Sequence, residues 1–593
     1  MIFEKEDEKK LKKLGVYNLL DLALMTPSSY EDRNLYHFIR LNELNALDAT
    51  IESFSITPKY IKLLLFAHNL NQTLPAYIFN PKAFHKKAFE VSKRYFLIAR
   101  IENRYGHIQA VQPRIIDTTG EIIPKYKNRS IKNQIKKYLT KERLSKYRLR
   151  EEEILSLYEI HFPTSFKIEH YEKTHIKVLK FVEVYNYMLK LSKKKKFYKS
   201  SRVIKADPLP FIKSLPFKLT GDQLKAIRDI QNDFAKEFAG KRVVMGDVGC
   251  GKTMVILASA FMMYPFRSVL MAPTTVLVSQ IYEEAKKYLP STFKTALITN
   301  KSKADEDLSS YDFIIGTHAL LYRKLPQCDL VMVDEQHRFG TLQREMIKKL
   351  ISKDKLHPHY LQFSATPIPR TMSLIDSNLV DYSFIKELPF KKDITTKIIT
   401  KNDFKELVRH IKSESAKNHQ TIVVYPLVEE SETIDYLSIE EAKEYWLKHF
   451  DSVFVTHGKD REKEDILEEF KEKGKVLIAT TLIEVGISLP SLTTIVIVAP
   501  ERMGLATLHQ LRGRVSRNGL KGYCFLFTKT PKNSRLNAFC KTLNGFEIAK
   551  LDLKFRQSGD ILRGEYQSGK SFRFFDPSQD EDIALEAKRR VGG

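Results

Sequence analysis

One run of eight residues restricts this chain more than any other feature: Gly246-Asp247-Val248-Gly249-Cys250-Gly251-Lys252-Thr253. It reads G-x-x-x-x-G-K-T. The apolar triplet Val243-Val244-Met245 precedes it, and an apolar run from Met254 to Met263 follows. A strand, a glycine-rich turn and a helix in that order make a phosphate-binding loop. Gly246, Gly249 and Gly251 let backbone N–H groups curl inward around an anion. The following helix turns its positive N-terminus toward the same anion. Lys252 is then placed to reach the terminal phosphates, and the Thr253 hydroxyl to sit on Mg²⁺. The chain is expected to bind a nucleoside triphosphate.

The pattern around this run is alternating strand and helix. After Phe217, continuous apolar strands are expected at Val243–Met245, Ser268–Ala272, Ala296–Ile298, Phe313–Gly316, Leu330–Val333 and Tyr360–Phe363. A second set follows at Thr396–Ile399, Thr421–Tyr425, Ser452–Val455, Lys475–Ala479, Thr494–Val498 and Tyr523–Phe527. Unbroken apolar runs suit parallel sheets buried on both faces. Two α/β domains in tandem result, and only the first carries a phosphate loop.

Upstream the pattern differs. Leu14 to Leu24 reads as an amphipathic helix ending before Pro27. Between Ala49 and Ile116, five short strands (Ile51–Ile56, Ile61–His68, Ala76–Phe79, Tyr95–Ile101, Ile108–Pro113) suit a small barrel of the OB type. Tyr60, Phe66, Phe79, Tyr95, Phe96 and Tyr105 are read first as core, with base stacking as the alternative. Lys125 to Lys199 is helical and basic; its run Lys193–Lys196 is either a solvated helix end or a phosphate contact. Pro208, Pro210 and Pro216 mark a boundary.

The formal net charge of +26 favours a polyanionic partner, nucleic acid being the commonest, with a lysine-rich proteome as the alternative. The four cysteines lack metal-ligand spacing, which points to a reducing cytoplasm and away from disulfides or zinc. The first residues are too charged for a signal peptide. No uncharged apolar run approaches the ~20 residues of a membrane helix.

Further residues carry chemistry. Asp334 and Glu335 follow an apolar strand, at the sheet end where ligands bind. Asp334 is read as holding Mg²⁺ through water, and Glu335 as orienting and polarising the attacking water. Gln223 either reads the N6 and N7 edge of adenine, selecting ATP over GTP, or sits on a helix surface. Arg514 and Arg517, three apart in Gln510–Arg517, are read as fingers that reach the transferring phosphoryl group from the second domain. The competing reading is an exposed pair with carboxylate partners.

Consecutive segments then form a pattern: Leu219–Gln223; Ala272–Leu277 with Thr274; Gly316–Ala319 with Thr317; Asp334–Gly340 with Gln336 and His337; Ser364–Thr371 with Thr366; Thr480–Gly486; and Gln510–Arg517. Outside them lie Tyr30-Glu31-Asp32-Arg33 and Ile160-His161-Phe162-Pro163. Together they resemble the RecG family of superfamily 2 helicases, double-stranded-DNA translocases that reverse stalled forks and migrate branches. Translocases of transcription-repair coupling share the motor; a structure-selective DNA-binding protein with a switch ATPase is the alternative of another class.

The resemblance implies a multidomain α/β fold. Its parts are an N-terminal helical segment (1–45), an OB-like β-barrel wedge domain (46–116) and a basic helical linker (117–210). Two tandem RecA-like parallel-sheet motor domains (211–390 and 391–535) and a C-terminal helical coupling element (536–593) follow. It implies DNA contacts by Thr274, Thr317, Thr480 and the wedge residue Phe79, whose other role is core packing. It implies coupling roles for Gln336, His337, Ser364, Thr366, Gln510, and for Arg556 and Gln567 in a TRG-like segment (556–569). ATP and Mg²⁺ are the implied cofactors, and branched double-stranded DNA (forks, Holliday junctions) the implied partner. Single-strand-binding protein as a docking partner, a monomeric state, a cytoplasmic location and no membrane complete the set. Three residues depart from the family pattern: Ser488 for Asp or Asn, Ser516 for Gly, and Gln557 for Gly. Ser516 is expected to be tolerated unless its backbone is left-handed.

Overall fold

The computed structural model describes the chain except residues 1–2, 105, 165–170, 304–306, 352–354, 366–369, 378, 391, 427–435, 458–459, 461, 481–488, 517–518, 564–571 and 593. The chain forms two compact units. One comprises Met1–Lys190, Ser571–Asp576 and Asp582–Gly593; the other comprises Leu191–Lys570 and Pro577–Glu581.

In the first unit, strands Leu44–Ile56, Tyr60–Ala67, Gln72–Phe79, Arg94–Arg104 and His107–Ile115 close into a barrel. Neighbours pair antiparallel, and the third and fifth close it in parallel through Ala76–Ala110 and Tyr77–Val111. The period-2 alternation explains closure: Ile61, Leu63, Leu65, Leu74, Ala76, Ile78, Leu97, Ala99 and Ile101 fill the interior. The aromatics fall on the other phase. Tyr60, Phe66 and Phe79 lie half-buried outside an aliphatic core, and Phe96 is exposed, so core packing is the wrong role for these four. Tyr95 is half-buried against the core. Tyr105 lies outside the described residues.

The predicted helix over Leu14–Leu24 is also corrected. Helices run Lys5–Lys13 and Leu19–Ala23, broken at Gly15 (φ +77°), with Asn18 capping the second through the Asp21 N–H. The short pair Ser29–Asp32 and Ile122–Lys125 is antiparallel. It joins the two upstream signature segments: Tyr30 Oη donates to the Ile160 carbonyl at 2.7 Å. Buried His161 holds Tyr126 Oη and the Ala23 carbonyl, each at 2.8 Å, and burial pushes its pKa down to about 4. Glu183 on helix Lys173–Ser192 accepts the backbone N–H groups of Arg573, Phe574 and Phe575 at 2.7–2.9 Å.

The second unit contains two parallel RecA-like sheets. The first orders its strands Thr295–Ile298, Phe313–Gly316, Ser268–Met271, Leu330–Asp334, His359–Ser364, Lys241–Gly246 and Asp381–Ile385. The other runs Ile394–Ile399, Gly522–Phe527, Leu492–Val498, Gln420–Val424, Val476–Ala479 and Val453–Thr456. Both faces are covered. Leu330 and Met332 enter one core cluster while Val331 and Val333 enter another, so no polar face interrupts the run. All twelve predicted motor strands are present. Asp381–Ile385 was missed: it is a sheet-edge strand whose Ser383 hydroxyl donates to Asp229 and accepts from Arg242, breaking the apolar signal. Ser516 stands at φ +62°, in the left-handed region, so tolerance of a side chain there is offset by backbone strain of order 1 kcal/mol.

Candidate active site

Sheet order brings the predicted residues together. Strands ending at Gly246, Ser364 and Asp334 are consecutive neighbours, with Ser364 opposite Met245 and Asp334 opposite Phe363. Their C-terminal ends therefore share one edge, where ligands of such sheets bind. The loop 246–251 turns through Gly249 (φ +79°) and Gly251 (φ +76°) into helix Lys252–Met263. A Cβ on Gly251 would stand 2.3 Å from Gln223 Nε2, so close approach demands glycine there as much as the angle does. Lys252 Nζ donates to the carbonyls of Gly246 and Asp247 at 3.1 and 3.3 Å.

Asp334 and Glu335 are both buried. Glu335 adopts φ +48°, a strained angle for a residue with a side chain, while its N–H donates to the Phe363 carbonyl at 2.9 Å. Its Oε1 accepts the Ala365 N–H at 2.7 Å. Burial raises the Glu335 pKa above the usual carboxylate range, opposed by Lys252, the Ala365 N–H, Arg338 and Arg514. Arg514, from the second sheet's domain, thus exerts its charge on a buried carboxylate of the first.

A cavity of about 300 Å³ opens beside the loop, lined by Phe217, Gln223, Gly251, Thr253, Glu284 and Tyr288 among others. Gln223 faces inward rather than lying on a helix surface. Its Oε1 accepts the Thr220 N–H at 2.8 Å, and its Nε2 donates to the carbonyls of Cys250 and Gly251 at 2.9 and 3.3 Å. Both amide hydrogens are used; one lone pair of Oε1 is left over.

Other candidates lie around this edge. Gln510 is buried and accepts from Arg338 across the two sheets' domains. Thr274 caps helix Thr275–Tyr288 through the Leu277 N–H, and buried Thr317 caps the turn His318–Tyr322. Thr480 follows strand Val476–Ala479, and Gln336 opens the turn Gln336–Arg338. In the other unit, Phe79 stacks on Tyr77 (centroids 6.0 Å apart, planes at 10°), meets Tyr60 edge-on, and lies under the Arg104 guanidinium at 5.8 Å. Thr366, Ser488, Arg517 and Gln567 lie outside the described residues, as do the side chains of His337, Arg556 and Gln557. Sequence reasoning missed Asp247, Arg338, Lys392, His509 and Arg512. Lys392 Nζ donates to the Val248 carbonyl at 2.6 Å. Only His509, which follows the largely apolar run Leu505–Leu508, carried a local signal; the other four lie among polar residues or glycines.

The oxygen donors Thr253 and Asp334 fit a magnesium ion. Such an ion takes one or two protein oxygens and completes its shell with water and phosphate, and no larger ligand cluster occurs among the described residues.

Family comparisons agree with this geometry. A DEAD/DEAH box helicase model matches residues 220–375, and a helicase conserved C-terminal domain model matches 402–519. The chain is 44% identical over 610 residues to the ATP-dependent DNA helicase RecG of Helicobacter pylori (strain ATCC 700392 / 26695), covering 98% of this chain and 97% of that one. The chain belongs to the RecG family. RecG of Aquifex aeolicus is 32% identical, over 98% of this chain and 82% of its own. The solved structure of RecG bound to a three-way DNA junction superposes with a TM-score of 0.56 at 26% identity, covering 99% of this chain and 84% of that one. As a member of this family of ATP-dependent DNA helicases, the chain uses ATP.

Proposed function

We propose that this protein is an ATP-driven translocase on double-stranded DNA that remodels branched DNA, through fork reversal and Holliday-junction branch migration. One observation carries the motor reading most: the phosphate loop, the Asp334-Glu335 pair and the Gln510–Arg514 segment converge on one cleft between two parallel sheets. The relative solved on a three-way junction supports branched DNA as the substrate. No described helix is long and apolar enough to cross a membrane.

In this reading, ATP lies on the loop Gly246–Thr253. The base enters the 300 Å³ cavity, where the remaining Gln223 lone pair accepts from the exocyclic amine of adenine. Lys252 leaves the loop carbonyls for the terminal phosphates. Thr253 and Asp334 would hold Mg²⁺, which would supply positive charge to offset that of the phosphates. Glu335 orients and polarises water. Arg514 and Arg517 stabilise the transferring phosphoryl group, with Gln336, His337, Ser364, Thr366 and Gln510 linking the halves. Thr274, Thr317 and Thr480 follow the DNA strand. In the barrel unit, Phe79 with Tyr77, Tyr60 and Arg104 offers a stacking edge at which duplex arms part. Arg556 and Gln567 couple hydrolysis to movement. Contacts fall mostly on phosphates, so binding is sequence-independent and salt-sensitive. In this reading the working form is a cytoplasmic monomer that docks on single-strand-binding protein.

The test is ATP hydrolysis on a model fork, linear duplex, single-stranded DNA and RNA, with strand release from the fork in parallel. Fork-stimulated hydrolysis with ATP-dependent release supports the whole reading. Equal stimulation by plain duplex without release removes the junction role, and preferential stimulation by RNA overturns the DNA assignment.

A further inference from the structure

The second residue of the phosphate loop, Asp247, is a buried carboxylate with no role in the phosphate chemistry above. Its Oδ1 accepts from the backbone N–H of Val248 at 2.6 Å and from His509 Nε2 at 2.5 Å. Its Oδ2 accepts the Gly545 N–H at 3.1 Å. These partners belong to three elements: the loop itself, helix Leu505–Arg512 of the second motor domain, and helix Gly545–Arg563 beyond it.

The hydrogen-bond inventory assigns the His509 tautomer. Arg512 Nη2 lies 3.2 Å from His509 Nδ1, and a guanidinium only donates. Nδ1 is therefore the acceptor, and the proton sits on Nε2, facing Asp247. Arg512 is itself fixed, donating to the carbonyls of Phe539 and Thr542 at 3.1 and 2.8 Å with its guanidinium 4.0 Å from the Phe539 ring centroid. The two helices are braced a second time, because Asp552 of the longer one accepts the Leu505 N–H that opens the shorter one at 3.0 Å.

Gly545 is where this arrangement is tightest. A Cβ there would stand 2.8 Å from Asp247 Oδ1 and 2.9 Å from His509 Nε2. Its backbone angle is not left-handed, and alanine is the better helix former, so glycine is required for the close approach alone. Asn544 caps the helix through the N–H groups of Phe546 and Glu547, leaving the Gly545 N–H to Asp247.

The geometry points to Asp247 as a positioning residue that carries the state of the phosphate loop, through His509 and the Gly545 N–H, to the helix leading into the coupling segment. This rests on the motor reading above. When phosphates draw the loop inward, its second residue shifts with it, and a carboxylate tied to both braced helices delivers that shift to their common end. Lys252 and Glu335 perform hydrolysis; Asp247 sets how much of it becomes movement.

The experiment uses the full-length protein and variants His509→Ala, His509→Gln, Gly545→Ala and the double variant His509→Ala/Gly545→Ala. Strand release from a fork is measured per ATP hydrolysed, with thermal melting to confirm folding. His509→Ala and Gly545→Ala should each lower strand release per ATP by about 5- to 150-fold, the range of a coupling interaction. The double variant should be no worse than the worse single one, because both changes break the same path through Asp247. His509→Gln, which keeps a donor toward Asp247, should retain most of the wild-type ratio and also reports if His509→Ala does not fold. A ratio within twofold of wild type in both single variants overturns the relay. So do effects that multiply in the double variant, or a His509→Gln ratio as low as that of His509→Ala. A wild-type protein that releases no strand overturns the motor reading and the relay with it.

Discussion

Arg338 Nη2 donates to Gln510 Oε1 at 2.9 Å, so a residue four positions after the strand that ends at Asp334 holds helix Leu505–Arg512 of the second sheet's domain. The bond bridges the two halves of the motor beside Glu335, whose carboxylate also feels the Arg338 charge. A hydrogen bond to a charged group contributes about 1.5–3 kcal/mol. Gln510→Ala should therefore lower DNA-stimulated kcat by roughly 10- to 100-fold, with a smaller change in the KM for ATP. Gln510→Glu, which can accept from the same guanidinium, should recover part of the loss. Steady-state ATPase assays on fork DNA check both.

Lys252 is the one loop side chain whose ammonium already turns back onto the loop carbonyls. Lys252→Ala should abolish ATP turnover while the protein keeps its thermal melting temperature. Hydrolysis near the wild-type rate would remove the phosphate-loop assignment.

Glu335 is held by the Ala365 N–H at a strained backbone angle, an arrangement that fixes its carboxylate in place. Glu335→Gln keeps the shape and removes the carboxylate charge. Hydrolysis should fall by about 10²- to 10⁴-fold while a fluorescent ATP analogue still binds. Lost nucleotide binding would contradict the water-positioning role.

Glu31 is buried and accepts from Arg33 at 2.8 Å, Lys125 at 3.0 Å and Arg114. Burial alone would raise its pKa, but these three cations bring it from 4.5 down to about 2. A depressed carboxylate pKa stabilises the fold above the unfolded-state value, and that contribution is lost as pH falls toward the folded-state value. The barrel unit should lose stability between pH 4.5 and about 2, and Glu31→Gln should flatten that dependence. Urea melts across this range measure it.

Helix Gly545–Arg563 includes Arg556 near the start of the TRG-like segment. Arg556→Ala should leave DNA-stimulated hydrolysis within a fewfold of wild type and impair fork unwinding by tenfold or more (about 1.4 kcal/mol). Parallel ATPase and strand-release assays decide it; normal values in both would exclude the coupling role.

Periodicity and glycine chemistry act over a few residues, which is why the barrel strands, all twelve motor strands and the loop 246–253 were legible in the linear chain. The apolar runs of the motor strands already implied burial on both faces, and G-x-x-x-x-G-K-T already implied a phosphate. Tertiary structure decided what depends on distant partners. Gly15 ended a helix that periodicity would have continued, because a left-handed residue there turns the chain toward the Asn18 cap. The alternation that closed the barrel also placed Phe79 outside it, where it meets Tyr77 and Arg104. Gln223 turned inward because two loop carbonyls needed donors. Asp247 and His509, 262 residues apart, carry no local signature of each other. A buried carboxylate must find donors wherever the fold supplies them, and only folding brought His509 and the Gly545 N–H within reach.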